Sequence, residues 1–143
     1  MKPDAVSRKN DSFAKVSNRF TNTMYKYLHY WLPLFAYCVL IFILSSSPIP
    51  FPSLHSSWSD KLLHMAEYSI LGFLTARAIF SLNLRYSKGF LLILAIILSA
   101  LYGLSDEVHQ ALVPERTASF GDIVADGFGS LIGSFCYSKM LFK

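Results

Sequence analysis

Residues 89–104 are built almost wholly from Leu, Ile and Ala. A run of that length and composition has no polar stripe to turn toward water, which leaves burial or lipid as its surroundings. Three further apolar runs accompany it, at residues 28–44, 62–80 and 123–142. Charged residues make up 15% of the 143, against about 25% in ordinary soluble domains. The reading is an all-α polytopic membrane protein: a four-transmembrane-helix bundle with helices at about 28–44, 61–80, 89–110 and 122–142.

The runs are separated by segments that stop helices. Seventeen residues at 28–44 rise about 26 Å, enough to span with help from flanking aromatics. Ser45, Ser46 and Ser47 then lead into Pro48, Pro50 and Pro52, which cannot continue a helix. The polar region before the first run is long and no small-x-small cleavage pattern follows it. A retained anchor is therefore expected, not a cleaved signal. Residues 1–26 form a basic tail in which Phe13, Val16, Phe20, Met24 and Tyr27 recur at three- and four-residue steps. Such a tail is either disordered or an interfacial helix with its basic side chains near anionic headgroups. The domain division is thus 1–26 for the tail and 27–143 for the membrane unit.

Charge sets the orientation. The tail, Arg77, the turn with Arg85 and Lys88, and the C-terminus hold 11 of the 13 Lys and Arg. Only Lys61 and Arg116 fall on the other side, together with seven of the nine Asp and Glu. Positive charge stays in the cytoplasm, so both termini are placed there and the protein in the cytoplasmic membrane. A basic rim also accounts for the net charge of +4 without nucleic acid as a partner. Cys38 and Cys136 lie inside apolar runs and read as inert core thiols.

Ionisable residues inside membrane helices are costly and face a protein interior or a wet cavity. Three helices present them at the same, outer end. Asp60, His64, Glu67 and Leu71 follow steps of four, three and four, one face of a helix. Asp60 also fits a helix cap, and Lys61 reads as a mark of the interface. In the third helix Ser99, Tyr102, Asp106, His109 and Gln110 share a face, while Glu107, on another face, reads as solvated charge. In the fourth, Asp122, Asp126, Gly129 and Gly133 form a line. Ser119 and Asp122 bracket a capping box. Asp126 lies a full turn deeper and capping does not explain it. Gly129 and Gly133 permit close helix contact. Arg116, the only arginine on the outer side, is placed to neutralise these acids or to grip a carboxylate or phosphate. Three readings stay open: a divalent cation among Asp106, Asp122, Asp126 and a histidine, an acid–base pair, or a structural polar core. No strict metal motif is present, so the spacing alone names no metal.

The ordered set of motifs resembles the VanZ-like family of bacterial membrane proteins. It comprises Leu44-Ser45-Ser46 with nearby prolines and Asp60-Lys61-Leu62-Leu63-His64 with Tyr68 and Leu71-Gly72-Phe73-Leu74. It continues with residues 102–110, Tyr-Gly-Leu-Ser-Asp-Glu-Val-His-Gln, then Val113-Pro114-Glu115-Arg116, then Ser119, Asp122, Asp126, Gly129 and Gly133. The likeness covers about residues 31–133. It departs at Glu115, where the family often has glycine before the arginine. The resemblance implies an integral protein of the bacterial cell envelope. The family's named member is associated with low-level teicoplanin resistance, which names no reaction.

From these residues the expected activity is the handling of an anionic, lipid-linked envelope ligand, a precursor or a glycopeptide, at the outer leaflet. Asp60, His64, Asp106, His109 and Asp126 are the candidate acid–base or cation-binding groups. Arg116, Ser119, Glu107, Gln110 and Asp122 are the candidate ligand contacts. Whether a reaction is catalysed is left open. The alternatives are a non-catalytic binding or transport unit, as a homo-oligomer through Gly129 and Gly133, or a structural membrane protein with a polar core.

Overall fold

The computed structural model describes residues 5–47, 57–114 and 116–142, with side chains omitted at 5–14 and 57. The prolines at 48–52, the charges of Lys2 and Asp4 and the departure at Glu115 lie outside the described residues. Every regular element among the described residues is helical. In chain order they are α1 (Ala5–Lys26), a π-helical turn (Tyr27–Trp31), α2 (Leu32–Ser45), α3 (Ser57–Ser81), α4 (Lys88–Gln110) and α5 (Phe120–Leu141).

The first three elements are continuous, so the chain folds as four helical rods. Lys26 and Leu32, on either side of the π turn, both keep right-handed helical dihedrals. Pro33 lies in the first turn of α2. It has no N–H to donate, and its ring crowds the carbonyl four residues back. The wider π turn relieves that crowding, and the Leu32 N–H reaches the Tyr27 carbonyl instead. From Ala5 the tail is therefore helical up to the first apolar run, without a break at residue 26.

Caps fix the other boundaries. Ser87 accepts from the Phe90 N–H at 3.2 Å and starts α4. Asn83, at φ 51°, takes the left-handed conformation that closes the turn after α3, a region asparagine tolerates. Ser119 accepts from the Gly121 N–H at 3.2 Å, so α5 begins at Phe120, two residues before the expected start.

Helices α3 and α5 pack most closely. A Cβ on Gly129 would run into the Met65 carbonyl, one on Gly133 into the Ser69 carbonyl, and one on Gly72 into the Ser130 carbonyl. The glycines let the two backbones touch, and Ser134 Oγ donates to the Gly72 carbonyl across the seam at 3.0 Å. The Gly129 and Gly133 stripe is thus covered by α3 of the same chain. A second copy docking there, as the sequence suggested, would have to displace α3.

Helix α2 is held differently, by side chains bonding to carbonyls. Tyr102 Oη donates to the Cys38 carbonyl at 2.6 Å and Tyr37 Oη to the Glu67 carbonyl at 3.2 Å. Leu34 and Ile41 of α2 also pack with Tyr68, Leu71 and Ala78 of α3, the larger of two small apolar clusters among the described residues.

The distribution of side chains is the reverse of a soluble protein's. Asp122, Asp126, Ser99, Ser130 and Ser134 are buried, while Phe35, Ile43, Leu101 and Phe128 are each more than half exposed. Lipid is the solvent that tolerates such an apolar exterior. Among the described residues, two helices are long and apolar enough to cross a membrane, Lys15–Ser45 and Lys88–Gln110. In α3 and α5 the buried polar and small residues dilute the apolar character.

Candidate functional site

The start of α3, the end of α4 and the start of α5 meet at one end of the bundle. His64, two turns into α3, sets its Nδ1 3.0 Å from Asp126 Oδ1 and 3.9 Å from Glu107 Oε1. His64, Glu107 and Asp126 are 7%, 2% and 0% exposed. Three helices therefore each supply one ionisable group to a single dry point.

Backbone spacing makes room for this. A Cβ on Gly103 would sit 2.8 Å from Asp126 Oδ2 and 3.0 Å from Tyr68 Cε1. Only glycine allows α4 to come that close to the Asp126 carboxylate. Glu107, one turn after Gly103, then faces inward. Its Oε2 accepts from the backbone N–H of Ser119 at 2.9 Å. Glu107 Oε1 and Asp126 Oδ2 are buried with no hydrogen-bond partner among the described residues, as is Tyr68 Oη.

The expectation that Glu107 is solvated charge is thus overturned. The line Ala95, Ser99, Gly103 and Glu107, at four-residue steps, is buried along its whole length. The small residues draw α4 against its neighbours and carry Glu107 in with them. That stripe was the signal in the sequence, and it points one residue away from the Asp106 face.

A second pair lies alongside. Lys61 Nζ donates to Asp122 Oδ1 at 3.1 Å, with the lysine side chain 31% exposed and the aspartate 5%. Lys61 does more than mark an interface: it neutralises Asp122, and Gly121 gives its stem room. Asp60 is half-buried on the same side. One ligand atom each from Asp60, His64 and Asp122 lie within 4.8 Å of one another, as do one each from His64, Glu107 and Asp126. Among the described residues, these are the two groups with the donors and spacing for a metal ion.

Asp106 and His109, both candidate acid–base groups, turn to separate partners. Asp106 Oδ2 is buried and accepts from Gln110 Nε2 at 2.9 Å, one turn on. His109 turns to α2, where its Nε2 meets Ser46 Oγ at 2.9 Å and its ring stacks on Phe42 at 4.6 Å between centroids. Three residues apart, the two side chains lie on neighbouring parts of one helix face, yet Asp106 is taken by Gln110 of its own helix and His109 by Ser46 and Phe42.

Arg116 is also committed. Its Nη2 donates to the Leu44 carbonyl at 2.8 Å and its Nε to the Ser47 carbonyl at 3.2 Å. It therefore caps the C-terminus of α2, where carbonyls lack helical partners and cations are favoured. Arg116 does not touch the acids, and its Nη1 is left over from these bonds. Ser119 spends its hydroxyl on the Gly121 N–H and its own N–H on Glu107.

The arrangement can hold a proton between an imidazole and a carboxylate, or bind a small cation, in a water-poor setting. Glu67, deeper on α3 and half-buried, offers its backbone carbonyl to Tyr37.

No curated protein and no solved structure matches this chain. The VanZ/LLP1 family model matches residues 8–143, essentially its whole length, and the chain belongs to that family.

Proposed function

We propose that this protein is a four-pass component of the bacterial cytoplasmic membrane with both termini in the cytoplasm. Its His64, Glu107 and Asp126 cluster lies at the outer face and serves the polar head of an anionic, lipid-linked envelope ligand. Family membership and the apolar exterior support a membrane setting. The skew of 11 of 13 Lys and Arg toward one set of helix ends supports the orientation. On this reading residues 27–143 are the membrane unit, and α1 continues α2 out of the cytoplasmic face, with the basic side chains nearest that face beside anionic headgroups.

The observation that carries the site is the 3.0 Å contact of His64 with Asp126, between two helices and away from water. A buried polar group is expensive in such a place, and function is the ordinary reason it is kept. In this reading His64 and Asp126 share or pass a proton, or fix a cation. The spare Nη1 of Arg116 offers positive charge to the incoming anion. The family resemblance extends the ligand class to precursors touched by glycopeptides such as teicoplanin.

A strain deleted for the gene and carrying wild type, Asp126→Asn or no copy tests it by teicoplanin susceptibility at matched expression. Asp126→Asn is expected to match the empty strain. Wild-type behaviour of that variant would reject the reading.

A second reading, a purely structural polar core, draws on the in-chain partners of Arg116, Gln110 and Glu107. It differs in outcome: loss of phenotype would then track loss of thermal stability across all substitutions, whereas residues at a functional site often keep or gain stability when replaced.

A further inference from the structure

We propose that His64, Glu107 and Asp126 form a binding site for one divalent cation of the zinc class, held by His64 Nδ1 and an oxygen of each carboxylate. The inference concerns metal binding alone and stands whatever ligand the outer face receives.

Geometry comes first. One ligand atom from each of the three residues falls within 4.8 Å of the others. Around a cation with metal–ligand bonds of about 2.0–2.2 Å, ligand atoms sit roughly 3–3.5 Å apart. The 3.0 Å separation from His64 Nδ1 to Asp126 already falls in that range, and only the 3.9 Å one to Glu107 has to close slightly.

The second observation is independent of the cluster. Glu107 Oε1 is buried, has no hydrogen-bond partner among the described residues, and is the carboxylate oxygen facing His64. Its sister oxygen is held by the Ser119 N–H, which fixes the carboxylate with Oε1 turned inward. Asp126 likewise carries a buried oxygen without a partner. Buried carboxylate oxygens ordinarily find donors or ions.

Charge points the same way. Two carboxylates with a neutral imidazole leave two negative charges in a dry site. The nearest lysine, Lys61, is bonded to Asp122. A divalent cation brings the site to neutrality, which a membrane interior favours. One imidazole nitrogen with two carboxylate oxygens suits zinc or manganese better than magnesium, which keeps its waters and prefers oxygen alone. The Ser119 N–H on Glu107 is the kind of outer partner that orients a metal-binding carboxylate. Three protein ligands leave one position open, as in zinc sites that receive a further group. The other trio, Asp60, His64 and Asp122, is the poorer choice, since Asp122 already holds Lys61.

The test uses the full chain purified in detergent with an affinity tag free of histidine. The protein is stripped with chelator, loaded with Zn²⁺, dialysed, and its metal counted by mass spectrometry. About one zinc per chain is expected. Zn²⁺ should raise the Tm saturably and Mg²⁺ should not. Glu107→Gln and Asp126→Asn, checked for helicity and monodispersity, should lose the retained zinc. Asp60→Asn should keep it, and so should Cys136→Ser, which excludes the exposed thiol. Wild type that retains no zinc and shows no Tm rise overturns the proposal even if the variants misfold. So does zinc retained by both Glu107→Gln and Asp126→Asn, or zinc lost from Asp60→Asn alone.

Discussion

The Ser119 backbone N–H donates to Glu107 Oε2 at 2.9 Å, so the first turn of α5 is tied to a carboxylate of α4. A capping box would have used Asp122 for that role, three residues on in the same helix. Here Asp122 is bonded to Lys61 and the cap comes from another helix. The exchange ties the ends of α3, α4 and α5 together through short polar contacts, and Glu107 lies beside His64.

That tie has a measurable cost when cut. Glu107→Ala removes a charge-assisted hydrogen bond from a buried site and leaves the Ser119 N–H without its acceptor, a loss of about 1.5–3 kcal/mol. Glu107→Gln keeps a carbonyl oxygen to accept from Ser119 and should lose less. Unfolding in detergent by SDS titration or heat checks the order. Equal losses in the two variants would show that the cap contributes little.

Gly133 and Gly127 lie on one helix and predict opposite results. A Cβ at Gly133 meets the Ser69 carbonyl of α3, whereas at Gly127 nothing lies within 4 Å. Gly133→Ala must push the α3 and α5 backbones away from each other, with an overpacking cost of about 1–3 kcal/mol. Gly127→Ala removes a flexible residue from a helix and should stabilise by roughly 0.5–1 kcal/mol. Paired thermal-unfolding measurements decide it. A neutral Gly133→Ala would mean that α3 and α5 pack less tightly than the glycine contacts require.

Arg116 bonds the carbonyl of Leu44 in α2 and that of Ser47 just past its end, 72 and 69 residues away in the chain. Lysine, with a single nitrogen, cannot reproduce the fork. Arg116→Lys should therefore loosen the end of α2 nearly as much as Arg116→Ala. Hydrogen exchange at residues 44–47 should rise several-fold in both, with the α3 and α5 amides unchanged. If exchange changes only in the alanine variant, charge near the helix end matters more than the two bonds.

Much of this fold is legible in the sequence, and what is not has a physical cause. The apolar runs announce the helices, because a run of Leu, Ile and Ala permits little else. His64 and Asp126 emerge from step counting, since each lies on a line of small or polar residues that must face inward. The joining of α1 to α2 is hidden because the composition changes from basic to apolar near residue 27, which reads as a boundary, and the π turn that accommodates Pro33 leaves no local signal. Glu107 reads as solvated because its inward turn depends on the small stripe of Ala95, Ser99 and Gly103, a property of how α4 packs. Charge alone assigns Arg116 to the acids. A loop residue's reach is set by where the chain places it, and here it meets open helix carbonyls first.

Lys61 and Asp122 supply the last test, and exposure sets its size. The pair is 3.1 Å apart, but the lysine is nearly a third exposed, so water screens some of the attraction. A double-mutant cycle with Lys61→Met and Asp122→Asn should give a coupling of about 0.5–1 kcal/mol. The single changes should be unequal. Lys61→Met leaves a buried carboxylate without its cation, whereas Asp122→Asn leaves an ammonium that can turn toward water. The larger loss is thus expected from Lys61→Met, read as the drop in Tm. The opposite order would mean that Asp122 has another partner at hand and that the lysine is dispensable to the site.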